Sequence, residues 1–194
     1  MRYADIWPKY AKYWDTMTIN STDINLFTEY AQYAIANKSI YQQISAGSSN
    51  AIPWAMIACI NRRESDGNFN CYLGNGQLLS RKTTEVPQNR GPFTGSNAFV
   101  EGGIDAIQEE DWTNILDWRL EKQLYYMMLF NGDGYEVIGE PSPYIWGLTN
   151  IQKPGKYVAD HDFDRSVMDT QPGCAPLLFE IAKLDPSIVF VRED

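Results

Sequence analysis

The segment Pro53-Trp54-Ala55-Met56-Ile57-Ala58-Cys59-Ile60-Asn61-Arg62-Arg63-Glu64-Ser65-Asp66-Gly67 most limits what this chain can become. Its apolar run opens with Pro53, which suits the first helical position because its missing N–H is not needed there. It closes on charged residues and on Gly67, which suits a helix stop. Trp54, Ile57, Ala58 and Asn61 share one helical face, and Ile60 stands four residues before Glu64 beside it. The spacing predicts a largely buried helix whose last turn carries an acid. A helix C-terminus disfavours negative charge and apolar neighbours disfavour ionisation, so the expectation is a Glu64 pKa pushed up. A carboxylic acid kept protonated near neutral pH is what a general acid requires. On spacing alone, the plainer reading is the better one: a helix-end Glu paired with Arg62 or Arg63 on the surface.

The rest of the chain reads as mostly helical. Tyr3, Ile6, Trp7, Tyr10, Tyr13, Trp14 and Met17 predict a short amphipathic helix interrupted near Pro8. Ser21-Thr22-Asp23 offers N-caps to a long helix reaching about Ile44, and residues 46–50 read as a loop. Between Tyr72-Leu73 and Leu78-Leu79, Asn75-Gly76 predicts a hairpin turn. Residues 93–103 read as a loop, 103–109 as a helix, and 112–130 as a buried helix broken near Asp117. From Asn131 to Asp169 the chain is rich in Gly, Pro and Tyr, the mark of functional loops with short helical turns. Residues 174–184 predict a final helix, and 187–191 a strand or ordered tail. The 194 residues suit one domain. Its parts are N-terminal helices over 1–50, the acid-bearing helix and hairpin over 51–92, helices and loops over 93–184, and a tail over 185–194.

A net charge of −9 argues against a nucleic-acid partner, which calls for a basic patch. It also opposes approach to an anionic cell wall until salt screens the repulsion. Residues 1–5 lack the apolar core of a signal peptide, and no stretch reaches the length of a membrane span. The expectation is a protein made in the cytoplasm, with no membrane partner. Cys59, Cys71 and Cys174 are odd in number and show no metal spacing, which predicts free thiols. His161 is the only histidine. That leaves too few ligands for a zinc hydrolase, and no Gly-x-Ser-x-Gly element accompanies Asp160-His161-Asp162. Asp160-x-Asp162-x-Asp164 mimics the start of a calcium loop, but Arg165 and Gln171 stand where Gly and Glu are needed. Helix-capping aspartates in a loop are the better reading there. No metal and no organic cofactor is implied.

One ordered set of motifs carries more. Glu64, Phe69, Asn75-Gly76 and Thr84-Glu85-Val86-Pro87 are followed by Asn131-Gly132-Asp133-Gly134-Tyr135, Ser142-Pro143-Tyr144-Ile145-Trp146 and Gly155-Lys156-Tyr157-Val158. In this order they resemble a phage and bacterial group of lysozyme-like muramidases, over about residues 3–178. The resemblance implies a mostly α (α+β) lysozyme-like fold, with a small β-hairpin forming one wall of a cleft. It implies cleavage of the β-1,4 bond between N-acetylmuramic acid and N-acetylglucosamine in peptidoglycan, with Glu64 as general acid. Tyr72, Thr83, Thr84, Asn131, Gly132, Tyr135, Tyr144 and Trp146 are then the expected substrate-binding residues. The partners are peptidoglycan glycan strands and, for a virion-borne enzyme, other virion proteins; the wall is reached by holin release or on the virion.

Two positions depart from the group. Gln77 stands where the hairpin commonly offers an Asp, and Met128 where the later motif often has a Glu. Most glycosidases use two carboxylates, and here Asp66 and Glu85 are the local substitutes. Thr83, Thr84 or Glu85 are candidates to hold a water. The same departures support a second reading from another class: a non-catalytic structural or glycan-binding protein on a lysozyme-like scaffold. A lytic transglycosylase, ending the reaction on the muramic 6-hydroxyl, is the alternative outcome of the first reading, and a peptide-bond hydrolase using His161 is the third reading.

Overall fold

A computed structural model describes residues 1–48, 51–159 and 162–193. The chain is mostly helical, with one small antiparallel hairpin among the described residues. It divides into two compact units, one built from Met1–Gln32 and Arg119–Asp194, the other from Tyr33–Trp118. No helix among the described residues is long and apolar enough to cross a membrane.

In the first unit, α1 (Tyr3–Thr16) packs on α6 (Leu120–Asn131), and α8 (Pro143–Trp146) and α9 (Cys174–Leu184) pack on one another and on α6. The expected interruption at Pro8 does not occur; α1 runs through it. A proline this near the start removes one backbone bond, to the carbonyl of Ala4, and burial of Ile6 and Tyr10 on either side of it outweighs that loss. Tyr10 donates to the buried carboxylate of Glu136 (2.9 Å), in α7 (Gly134–Val137), and Lys9 pairs with the same group. Strands β1 (Lys156–Ala159) and β2 (Asp162–Asp164) form the hairpin. It lies within a stretch read from sequence as loops and helical turns. Asp162 and Asp164 are therefore on a strand, not capping a helix. Asp164 accepts from the Ser166 N–H (2.8 Å) and hydroxyl (2.6 Å), which hold its carboxyl below the usual range. Asp160 and His161 lie outside the described residues. The C-terminal stretch is an ordered tail without strand pairing: the Leu120 N–H donates to the Val191 carbonyl (2.8 Å), and buried Glu121 accepts from Arg192 and from the Glu193 N–H.

The long helix expected to reach Ile44 is two helices, α2 (Ile24–Ala36) and α3 (Lys38–Gly47). Asn37 divides them at φ −104°, ψ 13°. Its side-chain amide donates to the Tyr33 carbonyl (2.9 Å), competing for a helical acceptor as Asn side chains do. The loop expected over 46–50 thus begins later, and Ser49 and Asn50 lie outside the described residues. In the second unit α3 packs on α4 (Trp54–Ser65) and on α5 (Ala98–Glu109). α5 starts five residues before the position expected from sequence. The reason is Gly102-Gly103, which are not loop residues here. A Cβ on Gly103 would sit 2.5 Å from Ile44, and one on Gly102 would sit 2.6 Å from Leu79. Both glycines let the helix approach its neighbours closely. The break near Asp117 is present: a 3₁₀ turn over Trp112–Asn114 is followed by non-helical chain up to α6.

Candidate active site

The acid-bearing helix α4 is buried from Ala55 through Asn61. Its end is fixed by a hydrogen-bond chain within the second unit. Tyr41, 1% exposed, donates to Asn61 Oδ1 (3.0 Å), and Asn61 Nδ2 donates to Ser65 Oγ (2.9 Å). Asp66 closes the helix in the left-handed region at φ 54°, with its N–H on the Arg62 carbonyl. Gly67 follows at φ 76°; its N–H bonds the Asn61 carbonyl (3.2 Å), and its own carbonyl accepts from Tyr33 (2.9 Å). Arg62 donates to the Asp66 carboxylate and carbonyl, both at 2.7 Å. Asp66, offered from sequence as a second acid, is thus an ion-paired helix cap. Glu64 is half-buried in this last turn.

The residues after α4 are braced against it. Gly76, at φ 71°, lies so close to the helix end that a Cβ there would be 2.3 Å from the Glu64 carbonyl oxygen. The turn around Asn75-Gly76 exists, closed by bonds from the Gly76 N–H to the Tyr72 carbonyl (2.9 Å) and from the Tyr72 N–H to the Gln77 carbonyl (2.6 Å). It does not open into strands; a single bridge, Cys71 to Leu78, is all the pairing it has. Cys71, Tyr72 and Leu73 are buried in succession, so the alternation that a half-exposed strand needs is missing. The expected hairpin wall is a compact turn.

Gln77 clamps the loop that follows. Its Oε1 accepts from the Thr84 N–H (2.7 Å) and the Glu85 N–H (3.3 Å), and its Nε2 donates to the Thr84 hydroxyl (3.0 Å). Thr83 is 4% exposed. Its hydroxyl donates to the Pro87 carbonyl (2.5 Å) and accepts from the Arg90 N–H (3.0 Å). Thr83 therefore holds the loop and is not a substrate-facing group. Thr84 and Glu85 are exposed.

Tyr72 is fully buried, contrary to its expected place against substrate. Its hydroxyl donates to Asp105 (2.8 Å), which also takes the Arg90 guanidinium. Burial and this carboxylate push the Tyr72 pKa well up. Arg90 reaches Glu109 as well (2.8 Å), and its pKa is raised by the Asp105 hydrogen bond.

Asn131, Gly132, Tyr135, Tyr144 and Trp146 belong to the first unit, whereas Glu64, Tyr72, Thr83 and Thr84 belong to the second. Trp146 and Tyr144 are core: Trp146 is 0% and Tyr144 3% exposed, and Tyr10 and Tyr13 meet the Trp146 ring edge-on. Neither ring offers a face for stacking on a sugar. The reason is local: Gly147 and Gly173 let two backbone segments touch, with the Gly173 N–H on the Gly147 carbonyl (3.1 Å), and this draws α8 into the core. Tyr135 is buried too; its oxygen accepts from the Tyr157 N–H (3.2 Å), and its ring meets Tyr157 and Phe163 edge-on. Asn131 and Gly132, at the end of α6, are exposed, and Met128 is fully buried.

Cys59, Cys71 and Cys174 are buried, and none of them is in a disulfide. No group of three or more His, Cys, Asp or Glu side chains among the described residues could hold a metal ion. Sequence reasoning missed the Tyr72–Asp105–Arg90 cluster, whose members are far apart in the chain. It also missed a pocket of about 580 Å³ in the second unit, lined in part by Phe69, Phe93 and Phe99. The signal for the latter was the run Phe93-Thr94-Gly95-Ser96-Asn97-Ala98-Phe99, where small polar residues separate two aromatics. No family model matches the chain, and no curated protein or solved structure matches it.

Proposed function

We propose that the chain cleaves the β-1,4 bond between N-acetylmuramic acid and N-acetylglucosamine in peptidoglycan, on a lysozyme-like scaffold, with Glu64 as general acid. The observation that carries this reading is the setting of Glu64: a half-buried carboxyl in the last turn of a buried helix, braced by Asn61, Ser65 and the Gly76 turn. A reacting group is held to useful precision by such a support. The order of motifs from Glu64 to Tyr157 supports it as well. Glu64 protonates the leaving glycosidic oxygen. Asp66 and Asp105 each engage an arginine, and Gln77 carries no charge. The substrate's 2-acetamido oxygen then attacks the anomeric carbon, the substrate-assisted exception to the two-carboxylate rule. Water opens that intermediate to a reducing sugar; the muramic 6-hydroxyl would instead close a 1,6-anhydro ring, the transglycosylase outcome. The enzyme would act from a phage, as an endolysin released through a holin or as part of a virion.

The test is Glu64→Gln. Wall cleavage should be abolished while the melting temperature barely moves, because the isostere keeps the packing and loses the proton. Retained cleavage would remove Glu64 from the mechanism. Mass spectrometry of the released muropeptides separates the two exits, since the anhydro product is lighter by one water.

The second reading is a non-catalytic glycan-binding or structural protein. The Gln77 clamp favours it, because an uncharged side chain there serves the loop alone. Wild-type protein that binds peptidoglycan and releases no fragments would establish that reading.

A further inference from the structure

The pocket over Phe69, Phe93 and Phe99 lies wholly within the second unit, and Glu64, Tyr72, Thr83 and Thr84 are not among its lining residues. Its volume, about 580 Å³, is that of a small-ligand site rather than a packing defect. The aromatic part of the lining is built by contacts within the unit. Phe69 meets Phe99 edge-on at 4.8 Å, and Phe93 stacks on Tyr72 at 5.8 Å with the rings 3° apart. Phe69 and Phe93 nevertheless remain half-exposed.

The rest of the lining mixes aliphatic side chains, among them Ile40, Leu78, Leu79 and Val100, with uncharged polar ones. Asn70, Ser80, Thr94, Ser96 and Asn97 contribute, and none of the residues lining the pocket is Asp, Glu, Lys or Arg, in a chain that is 21% charged. These five residues are exposed, and among the described residues none of their side chains is hydrogen-bonded to another protein group; the Asn97 side chain does not cap α5, although its carbonyl accepts from the Glu101 N–H (2.9 Å). The pocket thus combines flat rings with amide and hydroxyl groups that can each donate and accept. Ionic ligands lack a counter-charge there, and purely apolar ligands would strand the amides. A pyranose satisfies both halves: its C–H face suits an aromatic ring, and its hydroxyls suit the amides.

We infer that this pocket binds an uncharged sugar, stacked over Phe69 or Phe93 and hydrogen-bonded by Asn70, Ser80 and Asn97. It is a binding site and not the seat of cleavage. It stands independently of the role given to Glu64.

The experiment titrates the full chain with the N-acetylglucosamine trimer, with cellotriose and with trigalacturonate, read by calorimetry and by backbone amide shifts. At least one uncharged trisaccharide should bind with millimolar or better affinity and shift the amides of Thr94 and Ser96, while trigalacturonate does not. Thr94→Asp and Asn97→Ala should each weaken binding about tenfold or more with unchanged melting temperature, and Glu64→Gln should leave it intact. Absence of binding by both uncharged sugars overturns the inference. So does binding that ignores both pocket variants, or binding that is lost with Glu64→Gln alone, which would place the sugar at the acid instead.

Discussion

Gln77 uses both ends of its amide. The oxygen takes two backbone N–H groups and the nitrogen serves the Thr84 hydroxyl, so the residue acts as a splint for Thr84 and Glu85. Truncation to alanine returns those exposed groups to water, and about 0.5–1.5 kcal/mol of stability should be lost. Gln77→Glu should behave differently. A carboxylate accepts the same two N–H bonds, and the Thr84 hydroxyl can turn to donate to it. The Glu variant should therefore melt within a few degrees of the wild type, whereas the Ala variant melts clearly lower; thermal melts of the pair check this. Equal loss in both would mean that the Nε2 bond, not the two N–H bonds, holds the loop. Single residues were the least legible part of the sequence. Motif order alone put Tyr72, Tyr144 and Trp146 against substrate, yet their rings are core. Aromatic residues in a Gly- and Pro-rich stretch look alike on paper whether they cover the core or line a cleft. Only the long-range contact, such as Tyr10 against Trp146, tells the two apart.

At the level of elements, legibility followed the strength of local signals. α9 has its expected bounds, and α4 ends just before Gly67 as expected, whereas Pro53 is the residue that precedes the helix and not its first. Those ends are set by proline and by left-handed backbone, which act within a few residues. The apolar stripe runs on unbroken through α2 and α3 and predicts one helix, because it does not register that Asn37 takes a helical carbonyl with its side chain. The start of α5 was hidden by Gly102-Gly103, whose use is tertiary contact. The α4 end carries a prediction of its own. Asn61 is 0% exposed and ties α3 to the last turn of α4 through Tyr41 and Ser65. Asn61→Ala strands the Tyr41 hydroxyl in the core, a cost of about 1–3 kcal/mol. Tyr41→Phe combined with Asn61→Leu removes both partners and should recover part of it. Denaturant unfolding of the three proteins decides the matter, and an Asn61→Ala variant as stable as the wild type would show that the chain of bonds does not hold the helix end.

For the molecule as a whole, net charge and buried phenols dominate the response to solution conditions. With a charge of −9, the proposed attack on an anionic wall should be slow at the lowest ionic strength and rise as salt screens the repulsion. A turbidity assay across a salt series checks this, and activity that only falls from the lowest salt upward would contradict it. The alkaline limit follows from the tyrosines. Tyr10 in the first unit, and Tyr41 and Tyr72 in the second, are each essentially excluded from solvent. Burial raises all three, with Glu136 adding to the shift of Tyr10 and Asp105 to that of Tyr72. A raised pKa means that the folded chain keeps the proton longer than the unfolded chain does. The stabilisation is fully present below the ordinary phenol value of about 10 and is lost as pH rises above it, towards the higher folded values. The melting temperature should therefore not be lowered by these groups between neutral pH and about 9, then fall steeply above about 10. Tyr72→Phe should soften the fall, because one fewer phenol waits to ionise on unfolding, although the lost bond to Asp105 lowers its stability at neutral pH. Melting curves recorded by circular dichroism across that range provide the measurement, and a melting temperature that is the same well above pH 10 as at neutral pH would refute the argument.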